Sequence, residues 1–194
     1  MAELLTMDIS CLSEEDAARW LAEMDEESRE RVLRVTAPHR RLQTIAGDHL
    51  ARVALGVKSG KSPAEIRIRR TENGKPYAEE GCFSISHSGD LVVCALSECA
   101  VGVDVEQIRA VPEKVAQRYF SEGERHLLQR SRGRKNVFWR IWTGKEALCK
   151  LSGEGLAGIG KCDSALPPEG VRLTTDFNDG YVITVAERKC DSAK

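Results

Sequence analysis

At 194 residues, with 41% hydrophobic and 30% charged side chains, the chain has a globular composition, which excludes a largely disordered protein. Its 29 Lys and Arg against 30 Asp and Glu leave a formal net charge of -1, which excludes a generic nucleic-acid binder and leaves only local basic patches to consider. No apolar stretch reaches the roughly 18 residues a membrane span needs, so neither membrane nor nucleic acid is an expected partner.

The N-terminal MAELLTMDISCLSEED has no basic region and turns acidic early, so no secretory signal is expected and the expected location is cytoplasmic. Ser13-Glu14-Glu15-Asp16 is a helix start of the capping-box kind, and that helix should run to about Met24. A second, charged helix is expected from Glu26 to Val35. Pro38 stands near the start of a third, in which Leu42, Ile45, Ala46, Leu50, Val53 and Ala54 recur at helical spacing to about Leu55. Gly56 to Pro63 reads as a linker. Ile66 and Ile68 then alternate with Arg67 and Arg69, the pattern of a half-buried strand, and Asn73-Gly74-Lys75-Pro76 is a turn. Short strands follow at Cys82 to Ser86, Leu91 to Ser97 and Val101 to Val105, separated by Ser, Gly and Asp as in an antiparallel meander.

Helices return after Pro112. Ser121 with Glu124 is a capping box that opens a helix to about Gln129. Ser131-Arg132-Gly133-Arg134-Lys135 is a basic break. Asn136 to Leu151 is an apolar helix carrying Trp139 and Trp142. Ser152 to Gly160 is glycine-rich, and Val171 to Thr175 and Tyr181 to Ala186 read as closing strands. Helices and strands thus come in runs, twice over, which favours α+β with two sub-lobes over a doubly wound sheet. The seven cysteines (Cys11, Cys82, Cys94, Cys99, Cys149, Cys162 and Cys190) show no C-x-x-C and no zinc spacing. They read as free thiols, several of them small core residues.

Three stretches carry chemistry. In Val101-Gly102-Val103-Asp104-Val105-Glu106 the valines share one strand face, and Asp104 and Glu106 share the other. Two carboxylates so placed suit a hard cation such as Mg²⁺, although an ordinary solvated strand face has the same pattern. In Trp142-Thr143-Gly144-Lys145-Glu146-Ala147-Leu148-Cys149-Lys150, Glu146 and Lys150 are i,i+4 on one helix face, as a surface ion pair also would be. In Phe83-Ser84-Ile85-Ser86-His87-Ser88-Gly89-Asp90 a strand delivers His87 into a turn of small hydroxyl residues, a set suited to phosphate oxygens or to a structural turn. Two glycine-rich stretches are decoys. Gly56 to Ser62 has three spacer residues where a P-loop has four, and Gly153 to Gly158 follows a helix where a dinucleotide fingerprint follows a strand.

In this order, Gly74-Lys75-Pro76, Ser84 to Ser88, Val101 to Glu106 and Trp142 to Lys150, the motifs resemble those of the 4′-phosphopantetheinyl transferase superfamily. The resemblance spans roughly Arg31 to Gly158, and the length points to the surfactin-synthetase-activating type. It implies an α+β fold of two similar lobes in pseudo-twofold arrangement, each a small antiparallel sheet packed with helices, at about 1–101 and 102–194. It implies transfer of the phosphopantetheine arm of coenzyme A (CoA) to a serine of an apo carrier protein, in fatty acid, polyketide or nonribosomal peptide synthesis, with 3′,5′-ADP released. Asp104, Glu106 and Glu146 fall on the family's metal carboxylates for Mg²⁺ or Mn²⁺, and Glu146 on its candidate base. Lys150 falls on a lysine that contacts the phosphates, as Ser86 and His87 fall on positions facing CoA phosphate, with Asp104 beside them. Gly74, Lys75 and Pro76 fall on the adenine and 3′-phosphate pocket, and Arg31 and Thr44 on polar 3′-phosphate contacts. Gly144 departs from the pattern as a helix-weakening residue beside Lys145-Glu146. A monomer is expected, with the site between the lobes. The alternative is another Mg²⁺-dependent enzyme acting on a nucleotide or diphosphate.

Overall fold

The computed structural model describes residues 1–190. Its first sheet has β5 (Leu91–Ser97) at the centre, with β1 (Glu3–Asp8) antiparallel on one edge and β4 (Cys82–Ser88) antiparallel on the other. β1 is absent from the sequence expectation, because Leu4, Leu5 and Met7 carry no β branching. Pairing with β5 forms the strand nonetheless, and Leu5 and Met7 pack on the core. The helices α1 (Glu14–Glu23), α2 (Glu26–Leu33) and α3 (Pro38–Ser59) supply the other side of that core, through Trp20, Val32, Ile45, Leu50 and Leu55. Ser13 and Asp25 cap α1 and α2 by accepting from the N–H of Asp16 and of Ser28.

α3 does not stop at Leu55. It runs on through Gly56 and ends at Gly60, whose φ of +72° makes the left-handed cap, so the expected linker is mostly helix. Ile66 and Ile68 are buried and Arg67 is exposed, as the alternation required. They nevertheless form no ladder, because a 3-10 turn at Pro63–Glu65 delivers them straight under α3. Pairing starts only at β2 (Arg69–Arg70), which makes a short hairpin with β3 (Pro76–Tyr77) around the 73–76 turn.

The second sheet has the order β6 (Val101–Gln107), β8 (Tyr181–Arg188), β7 (Val171–Asn178), all antiparallel. α4 (Glu113–Tyr119) and α5 (Glu122–Arg130) lead to α6 (Arg134–Ser152), which packs along β6 and β8. α6 starts earlier than expected, so Arg134 and Lys135 belong to its first turn. The chain is therefore α+β, helices packed on small antiparallel sheets.

β5 is buried on both faces, which explains its unbroken apolar run. Val92, Cys94 and Leu96 join α3, while Val93 and Ala95 meet Val101, Val103 and Val105 of β6. One cysteine expectation fails. Cys99 and Cys190 form a disulfide with their Cα atoms 5.7 Å apart. The β6–β8 register, Val101 opposite Glu187, brings the turn before β6 and the segment after β8 together, across 91 residues of sequence. Cys11, Cys82, Cys94, Cys149 and Cys162 are free thiols, Cys94 and Cys149 being buried.

Candidate active site

The edge strand β6 and the helix α6 meet where Gly102 lies under Ala147 and Leu151. A Cβ at Gly102 would run into the Ala147 carbonyl and come within 2.5 Å of the Leu151 nitrogen, so only glycine lets helix and strand come this close. That approach puts Glu146 opposite the polar face of β6. One carboxylate oxygen each of Asp104, Glu106 and Glu146 lies within 4.8 Å of the others. Asp104 is 2% exposed, so the solvated-face alternative fails for it.

Asp104 is engaged on one oxygen only. Oδ1 accepts from Lys150 Nζ at 2.8 Å and from Ser86 Oγ at 2.8 Å, while Oδ2 is buried without a partner among the described residues. A buried carboxylate oxygen with no donor, in a cluster of three carboxyl groups, is what a hard cation with oxygen ligands answers. The residues present therefore fit Mg²⁺ or Mn²⁺. Burial pushes the Glu146 carboxyl up to about 8, the Asp104 charge adding to the rise and Lys150 opposing it. Burial raises Glu106 as well, against a hydrogen bond of 2.7 Å from Ser88 Oγ.

Glu146 and Lys150 share a helix face, as their spacing required, but the salt bridge of Lys150 runs to β6 and not along α6. Its ammonium donates to Asp104 and, at 2.7 Å, to Ser86 Oγ. His87 follows Ser86 on β4. Burial holds its imidazole below the ordinary histidine range, helped by the positive charges of Lys150 and Arg40.

The 73–76 turn comes to the same end of α6. Lys75 Nζ donates to the Leu151 carbonyl at 2.9 Å, in the last turn of the helix, where a cation is favoured. Gly74, Lys75 and Pro76 line a cavity of about 180 Å³ with Ser84, Lys150 and Gly153. Larger hollows of about 520 and 490 Å³ lie beside Arg140 and Phe177 and beside Lys161 and Leu166, and none of the three carboxylates lines either. Neither Arg31 nor Thr44 lines the 74–76 cavity. Arg31 Nη2 stands 3.7 Å from Asp48 Oδ2 and its Nε is buried without a partner among the described residues, while Thr44 Oγ1 donates to the Arg40 carbonyl at 2.8 Å.

Sequence reasoning missed the support beneath α6. Lys145 and Glu124 are both wholly buried and paired at 2.9 Å. Lys145 also donates to the Cys162 carbonyl, and Glu124 Oε1 accepts from Ser164 N at 2.7 Å and Ser164 Oγ at 2.9 Å. The Ser121–Glu124 capping box was legible, but nothing in it signals that its glutamate serves a buried lysine as well. Gly144 serves this packing, since a Cβ there would meet Ser164 Cβ at 2.8 Å.

Residues 100–189 match the family model described as the 4′-phosphopantetheinyl transferase superfamily, and residues 12–99 match that of the 4′-phosphopantetheinyl transferase N-terminal region. A Bacillus subtilis protein named 4′-phosphopantetheinyl transferase is 33% identical over 151 residues, which cover 75% of this chain and 67% of that one. The 4′-phosphopantetheinyl transferase HetI of Nostoc sp. is 33% identical over 150 residues, covering 71% of this chain and 63% of its own. A crystal structure of Thermotoga maritima holo-[acyl-carrier-protein] synthase overlaps 47% of this chain and 63% of that chain, at a TM-score of 0.38 and 23% identity, too little to argue from. With both halves of the sequence matched, and two-thirds of a relative at 33% identity covered, the chain belongs to the 4′-phosphopantetheinyl transferase superfamily.

Proposed function

We propose that this protein transfers the 4′-phosphopantetheine group of CoA to a serine hydroxyl of an apo carrier protein, giving the holo carrier and 3′,5′-ADP. The observation that carries the reading is the Asp104, Glu106, Glu146 cluster, with one buried carboxylate oxygen left unpaired, in a chain of this family. Asp104, Glu106 and Glu146 would hold Mg²⁺ or Mn²⁺, which supplies Lewis-acid charge to the oxygens of a pyrophosphate. Lys150, already bound to Asp104, is the cation placed to stabilise the leaving phosphate. Glu146 takes the proton of the incoming serine, directly or through a water. His87 meets a CoA phosphate, while Ser86, its hydroxyl taken up by Asp104, Lys150 and Val105, belongs to the phosphate end of the site through Lys150. Gly74, Lys75 and Pro76 receive the adenine end in the 180 Å³ cavity. Arg31 and Thr44 belong to this reading as outer contacts of the 3′-phosphate.

The reading includes two lobes near 1–101 and 102–194 in one monomeric chain, with His87 and Lys75 from the first and Glu146 and Lys150 from the second. Location in the cytoplasm belongs to it too; no helix among the described residues is long and apolar enough to cross a membrane. Mass spectrometry of an apo carrier protein after incubation with the protein, CoA and Mg²⁺ tests the transfer. The expected result is a gain of one phosphopantetheine group on the carrier serine. An unmodified carrier, across fatty acid, polyketide and nonribosomal peptide carriers, would overturn it.

A further inference from the structure

Among the described residues, the second sheet leaves one edge of β6 without a strand partner, since β8 pairs only the other. Three hydroxyls of β4 fill that edge. Ser84, Ser86 and Ser88 recur at a period of two, so they stand on one face of the first sheet, opposite Ala95, Val93 and Leu91 in the register, and β6 crosses that face. Their Oγ atoms accept the N–H groups of Val103, Val105 and Gln107 at 3.1, 3.3 and 3.1 Å. A row of side-chain oxygens thus does for β6 what the carbonyls of a neighbouring strand would do.

A hydroxyl has one proton to donate and two sites that accept. Backbone N–H and ammonium groups only donate, so in Ser86 and Ser88 the proton is free for a carboxylate. Ser86 accepts from Val105 N and Lys150 Nζ and donates to Asp104 Oδ1 at 2.8 Å. Ser88 accepts from Gln107 N and donates to Glu106 Oε2 at 2.7 Å. Each serine therefore grips one residue by its side chain and the next by its backbone. Ser84 makes the backbone contact alone, because the residue that would match Asp104 and Glu106 at its rung is Gly102.

We infer that Ser88, together with Ser86, is a positioning residue for the cation site: the serine rungs hold the Asp104 and Glu106 carboxylates in a fixed direction relative to Glu146. The inference rests on the metal reading of the three carboxylates. Ser88 separates best from other roles, because among the described residues its hydroxyl bonds only Glu106 and the β6 backbone, whereas Ser86 also bonds Lys150. Partners that orient ligating groups typically change metal affinity about 10–100-fold when removed.

The test is Mn²⁺ binding, followed by the EPR signal of the free aqua ion, in full-length protein with CoA present and carrier absent. Three variants, Ser88→Ala, Ser88→Thr and Ser97→Ala, are compared with the parent, and thermal unfolding is recorded for each. The expected results are a loss of about 10-fold in Mn²⁺ affinity for Ser88→Ala and recovery to within about threefold for Ser88→Thr, which keeps the hydroxyl. Ser97, at the far end of β5, likewise donates to a carboxylate, Glu187, and accepts a backbone N–H, that of Cys99, so Ser97→Ala should lower the melting temperature and leave Mn²⁺ affinity unchanged. Parental Mn²⁺ affinity in Ser88→Ala, or an equal loss in Ser97→Ala, would overturn the positioning role. A parent protein that binds no Mn²⁺ would instead overturn the metal reading itself, and the inference with it.

Discussion

Asp104 is the residue on which the site turns. It holds Lys150 with one oxygen and leaves the other buried without a partner among the described residues. On the metal reading proposed above, Asp104→Ala removes a cation ligand, and it strands the Lys150 ammonium. Losing a charge contact at the reacting phosphate costs about 3–4 kcal/mol or more of transition-state stabilisation, so kcat should fall at least about 10²–10³-fold. Steady-state kinetics with metal-stripped protein checks this, and turnover at the parental rate in excess EDTA would sink the metal assignment. His87 gives a pH prediction. Burial, Lys150 and Arg40 press its pKa below the ordinary value of about 6.5, with Asp104 pulling weakly the other way. The free imidazole is therefore neutral at pH 7, and a phosphate dianion beside it must raise its pKa. CoA binding should take up a fraction of a proton at pH 6.5 and almost none at pH 8.5. Calorimetry in buffers of different ionisation enthalpy measures the uptake. His87→Gln should abolish it, and an unchanged uptake in that variant would show that His87 does not meet phosphate. At this scale the sequence was legible wherever a local period fixes direction: two for Asp104 and Glu106, three to four for Glu146 and Lys150. It was not legible for the Lys150–Asp104 and Lys145–Glu124 pairs, whose partners lie 46 and 21 residues apart.

Between elements, the decisive contact is α6 on β6. Gly102 permits it by having no side chain where the backbone of α6 passes. Gly102→Ala should push α6 away from the strand and separate Glu146 from Asp104, even though a methyl group carries no chemistry. The expected outcome is a melting temperature lower by several degrees together with loss of Mn²⁺ binding. A variant that stays stable and binds metal as before would mean that the helix adjusts without moving Glu146. From below, α6 is held by the buried Lys145–Glu124 pair. Glu124→Ala leaves a buried ammonium uncompensated and should destabilise by about 3–5 kcal/mol in denaturant titration. A Lys145→Met/Glu124→Leu double variant should recover much of that loss, since it removes both charges; failure to recover would point to Ser164 and the loop it anchors. The elements themselves were legible where pattern and capping agreed, as in α1, α5 and β5. They were not legible where pairing overrode pattern: β1 is a strand because β5 offers an edge, and Ile66 and Ile68 are buried without a ladder because α3 covers them.

Across the whole molecule the charge nearly cancels, so any electrostatic steering of a carrier protein must come from a local patch. The densest basic run spans Arg130 to Lys135, and the structure divides it. Arg132 lies in the α5–α6 connection, while Arg134 and Lys135 occupy the first turn of α6, all three exposed. Basic residues at the N-terminus of a 19-residue helix oppose its dipole, so they are not there to stabilise α6. Arg134 does pair with Glu113 at 2.6 Å, but both side chains are about half exposed, and such a pair contributes at most about 1 kcal/mol. The run therefore keeps most of its charge for a partner, at the opposite end of α6 from Lys150 and the 74–76 cavity. Neutralising Arg132, Arg134 and Lys135 together should raise KM for the carrier several-fold and flatten its dependence on salt, with kcat little changed. CoA affinity should stay at the parental value, because Lys75, His87 and Lys150 are untouched. Initial rates at two ionic strengths, with carrier and CoA varied separately, distinguish the two effects. An unchanged carrier KM at low salt would leave Arg132, Arg134 and Lys135 as a solvated connection between helices and move the search for the docking surface to the hollow between Leu127 and Phe177.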